Sequence, residues 1–506
     1  MAVARNVIAN TVGTAVLAVA TAATTIFSFR LAGSEQFGLI GFYLTLHGIV
    51  AILDTGIGPG VVREVAYARS GQHAIGLGTI LFTFQGIYAG VTGLATIALI
   101  AASPFIATML LTARTISAGE IQYALILAAL IIALQRQRTV YSVFLEGMEQ
   151  QVLVNVLQSG AAVVRALVVL GAMLLIAPTA GVFLGAFLLA CLAELLLTAW
   201  YAWRATGNTG MARFSSAMVR RLWRFLLTSS LAVAVGALLQ SADKLVVSAL
   251  LPLDVVGRYM FVSQICLIVL KLIAPNVTAI FPRLSASIRR GDMGEAKRVY
   301  VAAAQTVSCI VAAFGLGAAF FGTEALVILT GNVEVARDYH WLFALLAFAY
   351  GLYGFALIPN ALRLSEGQPG TALWSNLAAA AVYVPAIVVL TPVYGVMAPA
   401  ALWLAASGFI FAVLVVRAHR NGLAGFAWPW LWTCVVPQFA VTAGVYATTK
   451  AALPQATSPF IALAAAVIAA GLGFAASVAV SGELRHSVVS FIRRTFFPPT
   501  SVSLAR

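Results

Sequence analysis

Two runs fix the fold: VLVNVLQSGAAVVRALVVLGAMLLI from Val152 to Ile176, and GVFLGAFLLACLAELLLTAWYAW from Gly181 to Trp203, separated only by APTA. A helix needs about 20 predominantly apolar residues to cross a bilayer, and each run has them. A four-residue connection allows little but an antiparallel helical hairpin. Each run carries a single charge, Arg165 in the first and Glu194 in the second.

The same pattern repeats along all 506 residues, of which 62% are hydrophobic and 9% charged. No water-soluble core could hide so much apolar surface, and mean hydropathy is +0.99. Fourteen spans are predicted, at residues 8–29, 37–57, 75–102, 120–145, 152–176, 181–203, 225–250, 259–281, 300–320, 341–361, 371–390, 395–416, 430–449 and 460–480. The fold class expected is an all-α polytopic membrane protein. Its first segment is longer than a signal-peptide core and has no small-residue cleavage site, so it is expected to be retained.

Of the 30 Lys and Arg, Arg30, Arg114, Arg258, Arg337 and Lys450 fall on one side of these spans, and Arg136, Arg138, Arg165, Lys244 and Lys271 within them. The other twenty lie on the side that holds Met1, which by the positive-inside rule places both termini in the cytoplasm. The net charge of +14 is therefore a topology signal with some attraction to anionic headgroups, and no nucleic-acid partner is expected. Cys191, Cys266, Cys309 and Cys434 all sit in apolar segments without ligand-like neighbours, so they are expected to be small core residues, with no metal and no bound cofactor. His47 is the one histidine in a span and is expected in a hydrogen-bonded helix contact.

A weak internal repeat divides the chain. Gly38 matches Gly257, and Arg63, Arg69 and Gly71 match Arg283, Arg289 and Gly291. Two pseudo-symmetric six-helix lobes are expected, residues 1–206 and 225–420, with a basic amphipathic linker at 207–224 and two accessory helices plus a tail at 421–506. Parallel repeats of this kind are a transporter architecture. The chain has no phosphate-binding Gly-rich loop and no long outer loop, so neither ATP hydrolysis nor a catalytic outer domain is expected.

Charges inside spans cost about 2.5–3.5 kcal/mol each on insertion scales and usually face a bundle interior or watery cavity. Arg165 and Glu194 lie at similar depth on joined helices and are expected either to pair or to line a cavity. Gln135, Arg138 and Ser142 form a polar stripe at i, i+3 and i+7, which favours Arg138 over Arg136 as a cavity residue and leaves Arg136 to snorkel toward headgroups. Asp243 and Lys244 are neighbours that diverge by about 100° around a helix and are not expected to face each other. Asp54 precedes Gly56, Gly58, Pro59 and Gly60, where a helix should break. Embedded bases outnumber embedded acids, so a cationic cavity for an anionic substrate is expected, drawn from Arg138, Arg165, Lys271, Arg63, Lys244 and Arg30. Asp54, Asp243, Glu194 and Glu64 are the candidates for coupling to H+ or Na+ and for gating.

The entry Arg30-Leu31-Ala32-Gly33-Ser34-Glu35-Gln36-Phe37-Gly38, the run Leu53-Asp54-Thr55-Gly56-Ile57-Gly58 with Arg63-Glu64, and the series Ala242-Asp243-Lys244-Leu245, Gly257-Arg258-Tyr259, Phe281-Pro282-Arg283-Leu284-Ser285 resemble the Wzx-type O-antigen and exopolysaccharide flippases. Those belong to the MOP (multidrug, oligosaccharidyl-lipid, polysaccharide) superfamily. Ala32-Gly33 stands where that family usually has Leu-Gly. The resemblance implies a non-enzymatic inner-membrane transporter that moves an undecaprenyl-pyrophosphate-linked glycan to the periplasmic leaflet by alternating access. It also implies membrane-lipid contacts, a polysaccharide polymerase and chain-length regulator as partners, and a place in lipopolysaccharide or related pathways. The alternatives are a lipid II or multidrug transporter of the same superfamily and, from another class, a membrane O-antigen polymerase or ligase.

Overall fold

A computed structural model describes residues 2–70, 76–207, 212–420, 423–454 and 457–486; within these, the side chains of 2–12, 14–15, 52–57, 59 and 221–234 lie outside the described set. The described chain is helical: α1 (Ala2–Val50), α2 (Ile52–Arg69), α3 (Leu77–Phe105, continued by a π-turn at Ile106–Leu110), α4 (Ala118–Gly147), α5 (Gln151–Leu175), α6 (Ala180–Ala205), α7 (Ser216–Leu250), α8 (Leu253–Cys266), α9 (Ile268–Arg289), α10 (Met293–Thr330), α11 (Val333–Ser365), α12 (Gly370–Tyr394), α13 (Met397–Ala418), α14 (Ala427–Cys434), α15 (Val436–Ala452) and α16 (Pro459–Val480). Eleven segments among the described residues are long and apolar enough to cross a membrane. That figure is compatible with fourteen: residues 16–50 count as one segment, and the expected seventh span at 225–250 includes side chains outside the described set. Gly33 interrupts α1 at φ 78°, ψ 173°, a region open essentially to glycine alone, and α14 and α15 together cover the expected thirteenth span.

Side-chain caps close the starts of several helices. Ser117 and Glu120 form a reciprocal capping box at α4, Thr179 caps α6, Asp292 caps α10 and Asn332 caps α11. Each satisfies amide donors that a helix start would otherwise leave without an intrahelical partner. Ser215 caps α7, which then runs unbroken to Leu250; Arg220, Arg221 and Arg224 therefore share one helix with the expected seventh span.

The chain separates into two compact units, residues 1–261 with 387–396, and residues 262–386 with 397–506. In the first, the repeat has a structural counterpart. The helix that follows the Gly33 break and the helix α8 that follows Pro252 cross at their matched glycines. A Cβ on Gly38 would stand 2.5 Å from the carbonyl oxygen of Leu253, and one on Gly257 would collide with that of Ser34. Each glycine thus meets the residue four before its counterpart, as a local two-fold relation requires. Both repeat helices also come in two pieces: α2 follows α1 after Ala51 and closes at Ser70, while α9 follows α8 after Leu267 and closes at Arg290.

In the second unit, α10 and α11 form the most buried pair. The last helices are pinned to α10 by polar contacts: Gln305 donates to the Thr433 carbonyl at 3.2 Å and accepts from the Leu484 amide at 3.0 Å, and the Tyr446 hydroxyl donates to the Ala313 carbonyl at 2.9 Å. Tyr300, His419 and Trp430 pack ring on ring at one end, with centroids 5.5–5.8 Å apart.

Candidate functional site

The hairpin α5–α6 brings Arg165 and Glu194 together at mid-helix: Arg165 Nη1 donates to Glu194 Oε2 at 3.1 Å. Arg138 of α4 reaches the other oxygen, Oε1, at 3.2 Å. One buried carboxylate therefore holds two guanidinium groups. The polar stripe of α4 extends the cluster. Gln135 donates to the Tyr43 hydroxyl at 3.2 Å and to Cys191 Sγ at 3.5 Å, and Arg165 lies 3.8 Å from the same sulfur with its guanidinium 5.0 Å from the centre of the Phe187 ring.

Arg136 does not snorkel. It is buried, and its Nη2 lies 2.7 Å from His47 Nε2, so this contact makes His47 an acceptor on that nitrogen. Its position one residue after Gln135 points it to α1 rather than to lipid, because α1 packs beside α4 inside the first unit. Three arginines and one glutamate leave an excess of positive charge. Arg138 Nε is buried without a hydrogen-bond partner among the described residues, and one carboxylate cannot occupy every donor of two guanidinium forks. Chemically, such a cluster can present spare planar donors to phosphate or carboxylate oxygens.

The other sequence candidates are distributed elsewhere. Asp243 and Lys244 face each other after all, with Lys244 Nζ 3.2 Å from Asp243 Oδ1 and donating also to the Gln240 carbonyl at 2.9 Å. The flexible four-carbon lysine stem turns back across the angle that separates the two backbones. Buried Tyr259 of α8 completes the arrangement, its hydroxyl donating to Asp243 Oδ2 at 2.6 Å. Arg63 and buried Glu64 of α2 are 3.6 Å apart. Arg30 is exposed near the Gly33 break, Lys271 is exposed on α9 of the second unit, and the side chain of Asp54 lies outside the described residues. The structure therefore groups Arg138, Arg165 and Glu194 and keeps the Asp243–Lys244 pair at a separate site in the first unit. Tyr43, Cys191 and Tyr259 were not singled out from sequence as partners. Only Gln135 on its stripe gave a signal, since tyrosine and cysteine in an apolar span read as packing residues. All four cysteines are buried.

No curated protein matches the chain by sequence. Among solved structures it is similar to the lipid II flippase MurJ in its inward closed conformation (TM-score 0.70, 10% identity, covering 92% of this chain and 97% of that one). It is also similar to a multidrug resistance MATE transporter of the MOP superfamily in an inward-facing conformation (0.62, 15%, 81% and 95%). A third is a MOP superfamily transporter from Pyrococcus furiosus described by the reverse polarity of its binding pocket (0.57, 16%, 83% and 94%). At these identities the likeness is one of fold, and the proteins that share it are transporters and flippases, not enzymes. A family described as "Polysaccharide biosynthesis protein" matches residues 3–288. With more than half of its length matched, the chain belongs to the polysaccharide biosynthesis protein family, and it carries the fold of the MOP superfamily transporters.

Proposed function

We propose that this transporter flips an undecaprenyl-pyrophosphate-linked oligosaccharide from the cytoplasmic to the periplasmic leaflet of a bacterial inner membrane, with both termini in the cytoplasm. The observation that carries the reading is the Arg138–Glu194–Arg165 cluster, embedded at mid-helix with more positive than negative charge. Glu194 holds the two guanidiniums apart from lipid and orients them while no substrate is bound. An arriving pyrophosphate offers each fork a second acceptor, and the surplus charge balances the phosphate charge that would otherwise enter a medium of low dielectric. The sugars then cross beside polar side chains while the isoprenoid chain remains in hydrocarbon.

Cation coupling belongs to the same reading, with Asp54 at the Gly-rich start of α2 as first candidate, and so does action beside a polysaccharide polymerase and chain-length regulator. Deletion followed by analysis of lipid-linked sugars tests the function. Loss of a flippase leaves complete undecaprenyl-linked units on the inner leaflet. Loss of a polymerase instead leaves single units exported and attached, and that result would overturn the proposal.

A further inference from the structure

The first unit holds a cavity whose lining does not include the cationic cluster. It is a crevice of about 530 Å³ between α1, α4, α5 and α6, lined by residues from the first turns of α4 and α6 and the last turns of α5. That volume lies within the roughly 300–1,000 Å³ of ligand pockets. Its floor is α6, where Gly181, Gly185 and Ala186 replace the large apolar residues found elsewhere on that helix. Glycines one turn apart in a membrane helix ordinarily let a neighbouring helix approach, yet only one of these is so used. A Cβ on Gly181 would touch the Tyr123 ring at 3.4 Å, whereas one on Gly185 would meet nothing within 4 Å. Glycine inside a helix is less favourable than alanine, and at Gly185 that cost leaves space and no helix contact.

The walls are graded along the helices. Gln36, Glu120 and Thr179 stand at the mouth, while Val168, Ala172 and Leu189 line the depth. Ile176 and Leu189 are largely exposed in the protein alone, so the crevice faces bilayer hydrocarbon. A void in that setting forfeits dispersion contacts unless a chain fills it. At the mouth, exposed Glu120 holds the α4 cap through one oxygen, Oε2, on Ser117, and adds negative charge where a headgroup would rest. Negative charge at that level discriminates against anionic headgroups and favours an ammonium.

We propose that this crevice binds one hydrocarbon chain of an amine-headgroup phospholipid, with the ammonium at Glu120 and the chain laid over Gly185. The site is separate from the flipped substrate and does not depend on what that substrate is. The test is native mass spectrometry of the purified full chain after exchange with vesicles of phosphatidylethanolamine or of phosphatidylglycerol. The wild type is expected to retain phosphatidylethanolamine at least tenfold more than phosphatidylglycerol. Gly185→Leu fills open space and should abolish retention without lowering the melting temperature. Glu120→Gln, which can still form the capping box, should keep a bound lipid and lose the tenfold preference. Equal retention by wild type and Gly185→Leu would overturn the site, and equal binding of the two lipids by the wild type would overturn the headgroup assignment. A dimer lost on Gly185→Leu, or an isoprenyl phosphate that displaces the phospholipid, would overturn the proposed occupant.

Discussion

Glu194 is the residue on which the cationic cluster turns, because it is the one carboxylate shared by two guanidiniums that lipid cannot solvate. Removing the acid and removing one base should therefore differ in kind. Glu194→Ala leaves Arg138 and Arg165 adjacent and uncompensated, a defect of about 3–5 kcal/mol for a buried pair that loses one partner. It should show as loss of protein from the membrane. Arg165→Ala leaves Glu194 paired with Arg138, so protein level should hold while flipping of lipid-linked oligosaccharide in proteoliposomes falls about tenfold or more, as expected for loss of about 1.5–3 kcal/mol of charged hydrogen bonding. Flipping at the wild-type rate by both Arg165→Ala and Arg138→Ala would remove the cluster from the transport path. At the separate Asp243 site, Tyr259→Phe deletes the hydroxyl bonded at 2.6 Å. It should lower stability in detergent by about 1.5–3 kcal/mol, read as a drop in melting temperature, and an unchanged value would make that contact dispensable.

At the scale of elements, the crossing of the helix beginning at Ser34 with α8 is the contact least tolerant of added volume. Carbonyl oxygens, not flexible side-chain ends, occupy the places where a Cβ would go at Gly38 and Gly257. Gly257→Ala, and to a lesser degree Gly38→Ala, should force the backbones apart at a cost of about 1–3 kcal/mol. Thermal unfolding of the purified protein would check this against Gly90→Ala, whose Cβ meets nothing within 4 Å and which should be neutral or stabilising. Equal melting temperatures for Gly257→Ala and Gly90→Ala would contradict the close crossing. The repeat was legible in sequence as matched glycines and arginines. That the matched glycines face one another was not, because sequence spacing gives the face of a helix and says nothing of what lies opposite.

For the whole molecule, the charge asymmetry and the family resemblance lead to two expectations. Reporter fusions after Arg506 and within the 207–224 segment should both report cytoplasm; a periplasmic signal from either would overturn the proposed topology. Flipping in proteoliposomes should respond to an imposed proton or sodium gradient and lose that response on Asp54→Asn. Indifference of the wild type to both gradients and to membrane potential would exclude coupling and return Asp54 to a structural role at the start of α2.

An all-α membrane protein could be read from the residues alone, because hydrophobic run length against bilayer thickness is a one-dimensional property that needs no partner. The sequence also located Arg165 and Glu194 at similar depth on a hairpin, since a short connection fixes the register of two helices. Which side chains meet emerged from the packing in three dimensions. Arg136 turned to His47 instead of lipid, Lys244 folded back on Asp243, and a cysteine and a tyrosine joined the polar cluster. The first and last of these depend on rotation about helix axes and on which neighbour occupies the facing groove, and the second on the rotamer of a flexible lysine stem. Those choices are settled by packing among all the helices at once, and no local pattern encodes them.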